Sequence, residues 1–156
     1  KSLLRHKLCV SEVKELTNGQ FEEFLPDPTP AKNTQNLILC SGKVYYDLLE
    51  AREGQRNSKS TIIRIEQFYP FNMEKFKEVV EPYAKVKRVV WCQEEPLNMG
   101  AWSFLCPILE EALGRRPHYA GRTPTASPAT GSLTLHKIEQ AELVADALNQ
   151  TQITRS

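Results

Sequence analysis

At 156 residues, 40% hydrophobic and 25% charged, the chain has the size and composition of one ordinary globular domain with a buried core. Its 20 basic and 19 acidic residues leave a formal charge of +1, so it carries no electrostatic footprint for nucleic acid or an anionic membrane surface. No apolar run approaches the roughly 20 residues of a bilayer crossing, and the basic start lacks the apolar stretch of a secretory signal, which points to a cytosolic chain or one cut from a larger soluble protein.

Residues 1–32 show no sustained period, and Pro26-Asp27-Pro28-Thr29-Pro30 reads as an extended connector. The expectation is therefore a linker arm over 1–35, an α/β domain over 36–150 and a tail over 151–156. Residues 36–41 form a short apolar strand, and residues 43–52 place Val44, Tyr45, Leu48 and Leu49 at helical spacing. A polar loop over 54–59 follows. The β-branched run 61–66 reads as a second strand, and Met73, Phe76, Val79 and Val80 mark one side of a second helix. A third pair comprises the strand 86–92 and a helix from about 101 to 113; a fourth comprises the strand 118–121 and a helix from about 135 to 148. Strands alternating with helices predict a three-layer, doubly wound, mostly parallel sheet of about four to five strands with helices on both faces. The Pro-, Ala-, Ser- and Thr-rich loop over 122–133 is too small-sided for a core element, and its length marks it as functional or interfacial.

The apolar run 86–92 ends abruptly in Gln93-Glu94-Glu95-Pro96, and open α/β sheets place binding crevices at such carboxyl ends. Glu94 and Glu95 are the right residue types for an acid and base pair, but neighbours on a strand point apart, which favours a structural or interface role. Asn98 is placed to cap the following helix, Gly100 to allow close approach, and Trp102 to pack at a subunit boundary. The turn Cys40-Ser41-Gly42-Lys43 could set the amides of Gly42 and Lys43 against an anion, although neither G-x-G-x-x-G nor G-x-x-x-x-G-K-[ST] is present. Arg122, with Arg115 and Arg116, has the bidentate geometry that holds phosphate or carboxylate, though surface arginines are commonplace. His6, His118 and His136 lack metal-ligand spacing, and Ser127 lacks the G-x-S-x-G elbow. Cys9, Cys40, Cys92 and Cys106 contain no C-x-x-C pair and read as reduced thiols, Cys40 and Cys92 as buried small hydrophobes. No catalytic, cofactor-binding or metal-binding residue is assigned.

Several segments together carry a resemblance: Lys1-Ser2-Leu3-Leu4-Arg5-His6; Cys40-Ser41-Gly42-Lys43-Val44-Tyr45-Tyr46-Asp47-Leu48-Leu49; Arg64-Ile65-Glu66-Gln67-Phe68-Tyr69-Pro70-Phe71; the run 91–102; and Tyr119-Ala120-Gly121-Arg122 with Ala126-Ser127-Pro128-Ala129-Thr130-Gly131. In order and spacing they closely resemble the carboxyl-terminal domain of the 2-oxoglutarate dehydrogenase decarboxylating component. The resemblance implies a transketolase C-terminal-like fold and a much longer, homodimeric parent. In that parent, thiamine diphosphate and Mg2+ sit between two upstream domains. The parent oxidatively decarboxylates 2-oxoglutarate and succinylates the lipoyl group of the succinyltransferase core, with cofactor chemistry oriented by the protein.

Implied partners are the upstream domains of the same polypeptide, dihydrolipoyl succinyltransferase and dihydrolipoyl dehydrogenase. The implied location is the cytoplasm for a bacterial parent and the mitochondrial matrix for a eukaryotic one. The family's cofactor motifs have no match here, so neither Glu94 nor Glu95 is its cofactor-activating glutamate. The expectation is a supporting domain, inactive alone. The alternative is a regulatory module whose Gly42, Lys43 and Arg122 accept a nucleotide or acetyl-coenzyme A.

Overall fold

The computed structural model describes residues 3–55 and 58–149. The expected tail over 151–156 lies outside the described residues. A short helix α1 (Val13–Asn18) precedes a two-residue strand β1 (Phe24–Leu25). Then come β2 (Asn36–Cys40), α2 (Val44–Glu53), β3 (Ser60–Ile65), α3 (Met73–Val80), β4 (Arg88–Pro96), α4 (Trp102–Leu113), β5 (His118–Arg122) and α5 (Leu133–Ala147).

The five strands lie in the order β1-β3-β2-β4-β5, and all neighbours are parallel except the antiparallel pair β1 and β3. The period of two sorts the strand side chains onto two faces. Ile38, Cys40, Ile62, Val90, Cys92 and Ala120 pack under α2 and α5 with Leu48, Val144 and Ala147. Leu37, Leu39, Ile63, Ile65, Val89 and Trp91 pack under α3 and α4 with Phe76, Leu105 and Leu109. The doubly wound, three-layer expectation therefore stands. The chain leaves β2 for β3 on one side and crosses to β4 on the other. The switch point between β2 and β4 is where Cys40 pairs with Cys92, and such a fork is where parallel sheets open a crevice.

Local chemistry sets the element ends. The Asn72 side chain accepts from the Lys75 amide to start α3, and Ser132 accepts from Leu135 to start α5. Gly114, at φ 66°, ends α4 in the left-handed conformation.

Two expectations need correction. The linker arm does not extend to residue 35, because β1 is an edge strand and Phe24 is buried among Phe71 and Phe76. Asp27, inside the proline-rich run, is buried too. Its carboxylate pairs with Arg52 of α2 and accepts the Ile62 amide at 2.8 Å. Phe24, Leu25 and Asp27 are thus packed onto the sheet. The second correction concerns β4, which runs on to Pro96 instead of ending at Cys92. Its ladder to β5 bulges between Cys92↔Ala120 and Pro96↔Arg122, so Glu94 and Glu95 sit in a bulged extension overhanging the end of β2.

Candidate functional site at the carboxyl edge of the sheet

The overhang of β4 is organised by a residue that the sequence did not single out. Gln93 is 3% exposed. Its Oε1 accepts the Trp91 indole N–H at 2.9 Å and the Trp102 amide at 3.1 Å. Its Nε2 faces the carbonyls of Met99, Glu95 and Pro96 at 2.9, 3.2 and 3.3 Å. One buried amide thus closes the turn from β4 to α4 and supplies the acceptor for the first helical N–H of α4. Gly100 is required here on two counts. Its φ is +67°, and a Cβ would lie 2.9 Å from Glu95 Cβ and 3.0 Å from Gln93 Nε2.

Asn98 does not cap α4. The helix begins at Trp102, whose amide is already taken by Gln93. Asn98 instead grips the backbone of Thr125, donating to its carbonyl at 3.0 Å and accepting its amide at 3.1 Å. Those paired bonds pin the loop over 122–133 to the β4–α4 turn. Trp102 is likewise not at an open boundary. It is 8% exposed, lies 5.2 Å from the Tyr119 ring and has the Arg116 guanidinium 5.7 Å over it. Leu105 is fully buried on the same helix, whereas Phe104 is exposed.

Glu94 turns toward α2 and α5. Its Oε1 accepts from Gln140 Nε2 at 3.0 Å and lies 3.5 Å from Lys43 Nζ. Lys43 also reaches Asp47 at 2.9 Å, and Gln140 donates to Asp47 at 2.7 Å. Burial pulls the Lys43 amine down, but the hydrogen bond to Asp47 and the Glu94 charge outweigh it and hold the amine above the ordinary lysine range. Arg122 extends the network. Its Nε donates to Glu139 at 2.8 Å, one terminal nitrogen to the Glu94 carbonyl, and the other to Gln140 at 3.0 Å and His136 Nδ1 at 3.1 Å. A guanidinium only donates, so His136 Nδ1 is the acceptor and the ring proton sits on Nε2.

Glu94, Arg122, His136 and Glu139 line a cleft of about 630 Å³ whose far wall is the 123–131 loop, Ser127 included. Glu95 is exposed at its rim. Tyr119 ties the ends of β4 and β5 together. Its hydroxyl lies 3.0 Å from the carbonyls of both Glu95 and Arg122, and burial pushes it up to about 12.

The remaining sequence candidates do not join this site. His118 pairs with Asp146 at 3.0 Å, and Arg115 binds the Val86 carbonyl at 2.8 Å, both beside the starts of the strands. His6 meets Glu50 at 3.2 Å. Cys40, Cys92 and Cys106 are buried free thiols, and burial raises Cys40 and Cys92 well above the ordinary thiol range, which suppresses the reactive thiolate. Gly42 has φ +70° and open space around its Cβ position, so the turn itself requires the glycine. With Lys43 between two carboxylates and all three nitrogens of Arg122 engaged, the edge offers a phosphate no uncommitted cation from that trio. The arrangement is a rigid polar frame around a cleft, with Glu94 and Glu95 in separate environments instead of one acid and base pair. Missing from the sequence reading were Gln93, Asp47, Glu139 and Gln140. A signal did exist for Gln93, since period two puts it on the face of Trp91.

Comparison with known proteins agrees with this architecture. The profile of the family described as 2-oxoglutarate dehydrogenase C-terminal matches residues 10–148. The 2-oxoglutarate dehydrogenase E1 component of Haemophilus influenzae is 49% identical over 153 residues, covering 96% of this chain and 16% of that protein. That of Azotobacter vinelandii is 44% identical over 154 residues, covering 94% and 16%. The oxoglutarate dehydrogenase of Buchnera aphidicola is 42% identical over 153 residues, covering 96% and 17%. A solved split-gene transketolase, an inactive β4 tetramer, aligns with TM-score 0.54 at 19% identity, over 84% of this chain and 42% of that one, and shares the fold. The chain thus spans about a sixth of the length of the curated relatives it matches. Its profile match over nearly every described residue, and the identity to these relatives over the same stretch, establish that it belongs to the 2-oxoglutarate dehydrogenase C-terminal family.

Proposed function

We propose that this chain is the carboxyl-terminal supporting module of a thiamine diphosphate-dependent 2-oxoglutarate dehydrogenase. It packs against the upstream domains, extends the homodimer and completes an active site that those domains hold. The observation that carries the reading is the locked carboxyl edge in a chain of this family. Gln93, Asn98 and Arg122 tie β4, the β4–α4 turn, the 122–133 loop and α5 into one frame. A fixed edge is what a module needs when it presents loops to a site elsewhere.

Thiamine diphosphate and magnesium do not fit the residues of this edge. The frame's cations are already paired with carboxylates and carbonyls, and no group of three or more His, Cys, Asp or Glu among the described residues suits a metal. No step of cofactor chemistry is assigned to this chain. Its part is positional: Glu94 and Arg122 fix the cleft, and the 123–131 loop borders the path of a lipoyl arm from dihydrolipoyl succinyltransferase. Dihydrolipoyl dehydrogenase is the third partner of the assembly, and the bacterial sources of the relatives favour a cytoplasmic setting.

The test is 2-oxoglutarate-dependent reduction of an artificial electron acceptor, with thiamine diphosphate and magnesium. The 156-residue chain is assayed alone, beside the upstream domains alone and beside a mixture of both. Turnover only in the mixture supports the reading. Turnover by this chain alone refutes it and makes Glu94 and Glu95 the first residues to replace.

A further inference from the structure

The stretch 7–22 is exposed throughout, although it carries defined structure. In α1 the Glu15 carboxylate accepts the Glu12 amide at 2.7 Å, and the Gly19 amide returns to the Glu15 carbonyl at 3.1 Å, yet no residue of the helix is buried. A six-residue helix is far below the length that is stable in water by itself. Of the eleven large exposed hydrophobics among the described residues, five fall on this strap, Leu8, Val10, Val13, Leu16 and Phe21, and Leu4 lies just before it. Val13 and Leu16 are three apart on α1 and share a face, at 76% and 79% exposure. Nothing in the sheet or its helices covers them, and an apolar concentration of this kind marks a contact surface.

Resting on the supporting-module reading, we infer that residues 8–21 form a docking strap whose occupant is an apolar groove on the preceding portion of the parent polypeptide. Two findings select that occupant over a second copy of the chain. The family match is to the carboxyl-terminal region and begins at residue 10, so α1 belongs to the family module, and the bulk of each relative's length lies outside it. A groove in the same polypeptide meets the strap at a far higher effective concentration than a groove in another molecule.

Cys9 provides the readout, because it lies in the strap and is exposed, while Cys40, Cys92 and Cys106 are buried. Labelling of Cys9 by a maleimide, followed by peptide mass spectrometry, is compared between this chain and the full-length parent carrying it. The expected result is labelling at least about ten-fold slower in the full-length enzyme. Combining Val13→Asp with Leu16→Glu should restore fast labelling there and leave the thermal midpoint of the isolated chain unchanged. Equal rates in the two proteins would overturn the strap. So would protection in the isolated chain that grows with its concentration, because the surface would then belong to a second copy. Fast Cys9 labelling in an enzyme that turns over 2-oxoglutarate overturns the strap and leaves the supporting role intact. Protection in a parent that lacks this activity supports the strap and counts against the functional reading.

Discussion

Gln93→Met isolates the amide that organises the carboxyl edge. Methionine keeps the length of the side chain and removes both polar atoms. Two buried donors, the Trp91 indole and the Trp102 amide, then lose the acceptor they now hold at 2.9 and 3.1 Å. Leaving a buried donor unpaired costs about 1–3 kcal/mol, and the apolar tail returns about 1 kcal/mol, so the net loss is about 3 kcal/mol. The carbonyls of Met99 and Glu95 lose a donor as well, but each has a second lone pair and a route to water, so they add little. Urea unfolding followed by tryptophan fluorescence suits the measurement, because both tryptophans of the chain touch Gln93. With a slope of about 2 kcal/mol per molar, the midpoint should fall by about 1–2 M. The exposed Gln20→Met is the control and should stay within about 0.5 kcal/mol of the parent. A fall below about 0.3 M for Gln93→Met would refute the view that this amide holds the edge.

Gly100→Ala should cost about 2–3 kcal/mol of unfolding free energy, because a left-handed φ is joined by contacts at 2.9 and 3.0 Å. Gly114→Ala, with a similar φ and open space, should cost only about 1 kcal/mol, and equal losses at the two sites would remove the steric argument. Asp27→Ala strands the buried Arg52 and should cost about 3–5 kcal/mol in denaturant unfolding, whereas Asp27→Asn keeps an acceptor for the Ile62 amide and should cost less. Tyr119 gives a pH dependence with a definite sign. Its hydroxyl titrates near 12 in the fold, chiefly through burial, and near 10 when unfolded. Between those values the unfolded chain sheds a proton that the folded chain keeps, so this contribution to stability is intact below about pH 10 and declines as pH rises toward 12. Urea midpoints across that window should fall less steeply for Tyr119→Phe than for the parent, and parallel slopes would contradict the assignment.

The parts of the fold that could be read from the sequence are those governed by short-range periodicity. Ile38, Cys40 and Val90 against Leu37, Leu39 and Val89 declare two buried faces, and a sheet buried on both faces needs helices on both. The parts that could not be read depend on distant partners. Phe24 and Leu25 are too short a run to signal a strand, and Phe24 is buried only because Phe71 and Phe76 arrive from elsewhere in the chain. Asp27 sits in a proline run that reads as connector, but Arg52, 25 residues on, makes it part of the core. The helix-start error has the same origin. Asn98 has the chemistry of a cap, and local reasoning assigns it that role. Gln93, nine residues upstream of Trp102, reaches the helix first and frees Asn98 for Thr125.

That exchange of roles bears on function. Had Asn98 capped α4, the 122–133 loop would lack its paired bonds to the β4–α4 turn, and its small side chains would offer little to hold it by packing. The Gln93 cap and the Asn98 clamp therefore operate together: the buried amide fixes the turn, and the turn fixes the loop. Arg122 closes the circuit from the other side by joining the Glu94 carbonyl to Gln140 and Glu139 of α5. Each loop at the cleft is thus held through hydrogen bonds that lead back to the sheet or to a long helix. Ordering such loops only upon assembly would charge their conformational entropy to an association step, whereas a frame ordered beforehand carries no such cost.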